Sequence, residues 1–260
     1  MNKRRFSISV MYDLKSWELV FDLLHDEYFQ GIELPAHYLS SPNLPSLLEK
    51  SGMEVTNVVD LVQSSISRSV IEQNEKVQSD IFEYINTTIS KTYDFSFSCF
   101  LLDLGIDPTS SKENTLTPII QFLKKFIYTL YSNNMTITLP ARIPDTMPLA
   151  EQGKYMQKII CETMFNKYKV CLNLFPHEVK KKNKPETIYQ WYDFDLRTVR
   201  IIYEPETGNY LTEKLLRYWL NPLYAMGFES DVIFCPKTNS FSVLENEIKS
   251  LSNFIDKMES

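Results

Sequence analysis

The sequence predicts an α/β fold, a single (β/α)8 barrel of the TIM type spanning residues 1–260 as one domain. Short β-rich apolar runs alternate with longer amphipathic ones eight times along the chain. The β-rich runs are too continuously apolar for a sheet with one wet face, which points to parallel strands covered by helices. No linker or low-complexity tract interrupts the alternation. An open doubly wound sheet satisfies the same alternation and is the alternative; the count of eight favours closure.

The predicted strands are, in order, FSISVM (6–11), GIEL (31–34), EVTNVVD (54–60), FSFSCFLLDL (95–104), MTITLPA (135–141), KVCLNLF (169–175), VRIIYE (199–204) and DVIFCP (231–236). Each gap leaves room for a crossover helix. In LKSWELVFDLLH (14–25), Trp17, Val20, Phe21 and Leu24 share one helical face, and similar stripes recur over 114–131, 148–165, 211–225 and 241–258. Asn114 and Ser240 or Ser242 are candidate N-caps. Gly31, Gly52 and Gly227 follow helical runs and precede strands, where a helix can end in a left-handed residue.

Composition narrows the function. Apolar residues make up 43% and charged residues 23%, as in ordinary globular proteins. There is no apolar run long enough for a membrane span and no secretory-type opening, so a cytoplasmic protein without membrane contact is expected. A net charge of −6 supplies no basic field for a phosphate backbone, so nucleic acid is not expected as a partner. Cys99, Cys161, Cys171 and Cys235 are widely spaced and read as reduced thiols. Only 6 glycines occur, and no glycine-rich phosphate loop is present. The aromatic runs YQWYDF (189–194) and RYWLNPLY (217–224) read as core, with an interaction surface as the other possibility.

In a barrel, the carboxyl ends of the strands face one pocket. Here they carry Tyr12 and Asp13, Glu33 and His37, Asp60, Asp103, Arg142, His177 and Glu178, Glu204 and Glu206, and Lys237. Glu33 lies between Ile32 and Leu34 in a run too short for a bulge, so its carboxylate needs a cationic partner, for which Arg142 and Lys237 are the candidates. Asn57 and Asn173 are amides inside apolar runs and need partners too.

The opening FSISVMYDLKSWELVFDLLHDEYFQGIEL, then a helix, then SGMEVTNVVDL, resembles the xylose-isomerase-like barrels: sugar-phosphate isomerases and epimerases, inosose dehydratases and apurinic endonucleases. The likeness is sharpest over residues 6–62. The resemblance implies a divalent metal at the mouth, held by a Glu ending strand 5, an Asp on strand 6 with a His beyond it or on the next strand, and a Glu ending strand 8, with glutamates shuttling a proton. This chain departs from that pattern. Leu139, Pro140 and Ala141 stand at the end of strand 5, Asn173 on strand 6, and Cys235 or Pro236 on strand 8. His177 lies four residues beyond Asn173, where the pattern has three.

No metal and no other cofactor is therefore expected. The expected ligand is a small sugar or sugar acid, bound through Asp103, Arg142, Asn173 and Lys237. If the barrel is an enzyme, it is isomerase- or epimerase-like, with Glu33, His177 and Glu204 as the candidate catalytic residues. The alternative is a degenerate barrel that binds a ligand or partner without catalysis.

Overall fold

Parallel pairing of every neighbouring strand, including the last with the first, closes the sheet into a barrel in the order β1 to β8. The structure is a computed structural model describing residues 4–10, 18–24, 27–60, 74–90, 99–104, 116–126, 130–131, 135–143, 148–163, 166–179 and 183–259. The strands are β1 (Arg5–Ser9), β2 (Gly31–Pro35), β3 (Glu54–Val59), β4 (Cys99–Leu101), β5 (Thr136–Ile143), β6 (Tyr168–Leu174), β7 (Leu196–Tyr203) and β8 (Asp231–Pro236). Among the described residues the helices are α1 (Glu18–Leu24), α2 (Leu44–Ser51), α3 (Glu75–Ser90), α4 (Leu116–Lys125), α5 (Leu149–Thr163), α6 (Pro185–Tyr192), α7 (Glu213–Ala225) and α8 (Phe241–Glu259). No described helix is long and apolar enough to cross a membrane.

Strand alternation divides the side chains into two sets. Phe6, Ile8, Ile32, Leu34, Leu139, Ala141, Leu172, Ile201 and Phe234 join the large core shared with the helices. The other parity fills the lumen, where Val59, Leu101 and Cys171 form one small apolar cluster and Ile202, Ile233 and Cys235 another. The aromatic runs belong to the core: Tyr189, Tyr192 and Trp219 are buried, and Tyr189 donates its hydroxyl hydrogen to the Trp219 carbonyl.

Local signals explain the element ends. Gly52 and Gly227 adopt left-handed φ values of 69° and 80° behind α2 and α7. Gly31 does not; it opens β2 because a Cβ there would lie 2.2 Å from Thr56 Cγ2. Ser240 caps α8, accepting from the Val243 N–H at 3.4 Å. Asn114, Trp17 and residues 95–98 lie outside the described residues.

At the amino-terminal face, Arg5 bridges Asp231 and Glu54, each at 2.9 Å. The opposite face carries the polar ring.

Candidate functional site

Sheet register assembles the mouth from two walls. On one wall β1, β2 and β3 align Ser9 with Glu33 and Glu33 with Asn57. The expected absence of a bulge does not hold: the β2–β3 register shifts after Ile32, leaving Thr56 as an extra residue in β3 and bringing Asn57 opposite Glu33. On the other wall, β5, β6 and β7 align Arg142, Asn173 and Arg200.

Glu33 is fully buried, and its partner is Arg200 rather than Arg142 or Lys237. Arg200 Nη2 and Nε donate to Glu33 Oε1 at 2.9 and 3.2 Å. Ser9 Oγ donates to the same oxygen at 2.6 Å, and Asn57 Nδ2 to Oε2 at 2.7 Å. Arg200 Nη1 reaches Asn173 Oδ1 at 3.0 Å. The two charges come from β7 and β2, so the pair crosses the lumen. Burial works against the guanidinium charge, but its surroundings together, the Glu33 carboxylate foremost, outweigh that and hold the Arg200 pKa above its ordinary value. Asn57 Oδ1 is buried without a hydrogen-bond partner among the described residues.

The lumen thiols sit in this network. Cys235 Sγ lies 3.8 Å from Glu33 Oε1, and burial, partly opposed by Arg200, pushes its pKa up to about 12. It is a protonated, unreactive thiol at neutral pH.

Asp60 closes β3 at a left-handed φ of 56°. The residue is open to solvent as a whole, yet desolvation raises its carboxyl pKa; Arg200 opposes that shift, Glu33 adds to it, His37 opposes it and Asp103 adds to it. Asp103 itself is exposed at the end of the β4 segment.

The outer rim is built on Phe175, which packs on the Ile202, Ile233 and Cys235 cluster. The Arg142 guanidinium lies 4.3 Å from the centroid of the Phe175 ring and the Lys237 ammonium 5.3 Å from it. Each cation has a carboxylate neighbour: Arg142 and Glu178 are 3.6 Å apart, Lys237 and Glu204 3.5 Å. Beside Lys237, a cleft of about 40 Å³ is lined by His177, Glu178, Tyr203, Glu204 and Asn209. The Arg142 carbonyl accepts from Gln152 Nε2 at 3.0 Å, and Gln152 Oε1 accepts from the Tyr192 hydroxyl, tying the end of β5 to α5 and α6.

The sequence-derived candidates thus fall into three groups, the last two sharing Lys237. Glu33 and Asn173 meet at Arg200; His177, Glu204 and Lys237 share the cleft; Arg142 and Lys237 share Phe175. Leu139 and Ala141 pack toward the helices, so the lumen-facing residues at the end of β5 are Pro140 and Arg142. Sequence reasoning missed Arg200 and Phe175. Arg200 carried a usable signal, a lone base inside the apolar run VRIIYE.

No protein-family model matches the chain, and no curated protein does. Solved structures do. The apo crystal structure of 3-keto-D-glucoside 4-epimerase, YcjR, from E. coli matches at 13% identity and a TM-score of 0.72, over 97% of this chain and 99% of that one. D-Psicose 3-epimerase with D-tagatose, from Clostridium cellulolyticum H10, matches at 10% identity and 0.74, over 97% and 98%. The IOLI protein with a bound zinc atom matches at 13% identity and 0.67, over 97% and 98%. The shared property is the fold, a closed parallel (β/α)8 barrel.

Proposed function

We propose that this barrel, built like those sugar epimerases, binds a small carbohydrate-type or anionic ligand at its carboxyl-terminal mouth without the divalent-metal chemistry of similar enzymes. The observation that carries the reading is the Arg200 guanidinium, held between Glu33 and Asn173 in the lumen.

A hard divalent ion needs several oxygen ligands and negative charge. At the positions the resemblance assigns to metal ligands, the lumen offers Arg142 and Pro140, Asn173, and the Cys235 thiol. Asn173 Oδ1 already accepts from Arg200, and Glu33 is neutralised by it. Among the described residues no three His, Cys, Asp or Glu side chains group to hold an ion. These residues do not fit the metal. A fixed cation supports instead a site whose positive charge is built in.

Within that site, Asp103, Arg142, Asn173 and Lys237 are the ligand-binding candidates, and Glu33, His177 and Glu204 the candidates for proton transfer. The donors crowding both Glu33 oxygens favour a second reading, a barrel that binds without catalysis and uses Glu33 to anchor Arg200. Sharing one cleft, His177 and Glu204 are the better-exposed acid/base pair.

The test is elemental analysis together with thermal-shift screening of sugars, polyols and sugar acids, with and without Mn²⁺. A ligand bound to the folded state raises the melting temperature. Stabilisation by sugars or sugar acids independent of Mn²⁺ is expected. Stabilisation by micromolar Mn²⁺ alone would refute the metal-free site.

A further inference from the structure

We infer that the ligand enters the mouth carboxylate first, with that group held between Arg142 and Lys237 at the Phe175 ring; this rests on the reading of the mouth as a ligand site. Sugar sites commonly offer an open aromatic face on which the C–H face of a pyranose stacks. Phe175 does not offer one. Its ring carries both cations and packs inward on Ile202, Ile233 and Cys235. What the rim presents to a ligand is positive charge positioned by an aromatic ring.

That charge is only loosely engaged. The Arg142–Glu178 and Lys237–Glu204 contacts are longer than tight charge-assisted bonds, and all four side chains are 36–58% exposed. A ligand carboxylate accepting short bonds from the guanidinium and the ammonium together would displace both contacts at little cost.

The same charges select the kind of anion. Glu178 and Glu204 formally balance the two positive charges, so the rim suits one ligand charge better than two. A planar carboxylate matches the guanidinium fork. Beside Lys237 the cleft of about 40 Å³ has room for a water-sized group, so the carboxylate sits at its rim and not deep in the lumen. The turn after β7 has a single glycine, Gly208, too few for a glycine-rich backbone cup around a phosphate. His177, Asn209 and Glu204, lining the same cleft, would meet the hydroxyls of a hydroxy acid.

The experiment is isothermal titration calorimetry in chelator at low ionic strength, with D-gluconate, D-glucose and D-glucose 6-phosphate as probes. It compares the unaltered protein with Arg142→Met/Lys237→Met, whose exposed side chains should leave folding intact, with circular dichroism as the check. Gluconate is expected to bind at least about tenfold tighter than glucose and more weakly as salt rises, and the double variant to lose gluconate binding by about tenfold or more. Equal binding of glucose and gluconate, or gluconate binding unchanged in the double variant, overturns the carboxylate clamp while leaving the mouth as a ligand site. Tightest binding of glucose 6-phosphate replaces the carboxylate with a phosphate and overturns the inference in the same way. Failure of all three probes to bind overturns the clamp and the ligand-site reading together.

Discussion

Arg200 and Glu33 face each other across the lumen and are joined by two donors on one carboxylate oxygen, Nη2 at 2.9 Å and Nε at 3.2 Å. Both side chains are at least nineteen-twentieths buried, so neither charge is satisfied by water if the other is lost. Removing one partner of such a pair costs about 3–5 kcal/mol, whereas replacing both with uncharged groups costs far less.

Glu33→Gln and Arg200→Met should each destabilise by about 3–5 kcal/mol, and the double variant by clearly less than their sum. Urea unfolding of the four proteins measures the coupling. Additive losses would mean that the two charges do not support each other.

Asp60 predicts a gain. Its carboxyl pKa lies above the unfolded value, so the native state binds more protons than the unfolded chain between the two values. Stability therefore falls as pH rises through that window, and the penalty is present in full above the folded value. Asp60→Asn should raise the urea midpoint at pH 7, with the advantage shrinking as pH falls through the folded value and gone below about pH 3.9, the unfolded value. Asn also tolerates the left-handed backbone at this position. A midpoint shift that is the same at pH 7 and pH 3 would assign the effect to the backbone and not to the charge.

Gly31 is a steric prediction. A Cβ there meets Thr56 Cγ2 at 2.2 Å, Ser7 Oγ at 2.9 Å and the Glu54 carbonyl at 3.0 Å. Gly31→Ala should cost about 1–3 kcal/mol in thermal or urea unfolding. Thr56→Ser in the same chain removes the nearest of these atoms and should recover part of the loss. No recovery would place the strain at Ser7 Oγ and the Glu54 backbone.

The barrel was legible in the sequence because a parallel strand covered on both faces leaves an unbroken apolar run, and six of the eight expected strands start within two residues of an observed one. The expected range of the fourth strand reaches into residues outside the described ones, and β7 begins three residues early, at Leu196. At the mouth, the buried Glu33 announced the need for a cation but not which one. The nearest cations in the predicted ring were at strand ends, whereas the partner sits inside β7 and reaches Glu33 across the lumen, a relation set by barrel closure and register. The extra residue at Thr56, which sets Asn57 opposite Glu33, leaves no mark on the pattern of apolar residues. Nor does a phenylalanine at a strand end reveal that it will carry two cations.

The Tyr192–Gln152–Arg142 relay gives the barrel a remote adjustment. It starts in the helical layer and ends on the backbone that carries one of the rim cations. Tyr192→Phe should cost about 1–3 kcal/mol by leaving Gln152 Oε1 without that donor, and it should also change the affinity for a charged ligand that Tyr192 never touches. Titration of such a ligand against this variant and an equally destabilised core variant separates the two effects. A changed affinity in that variant would mean that substitutions on the outer shell retune what the opening prefers while every residue around that opening keeps its identity.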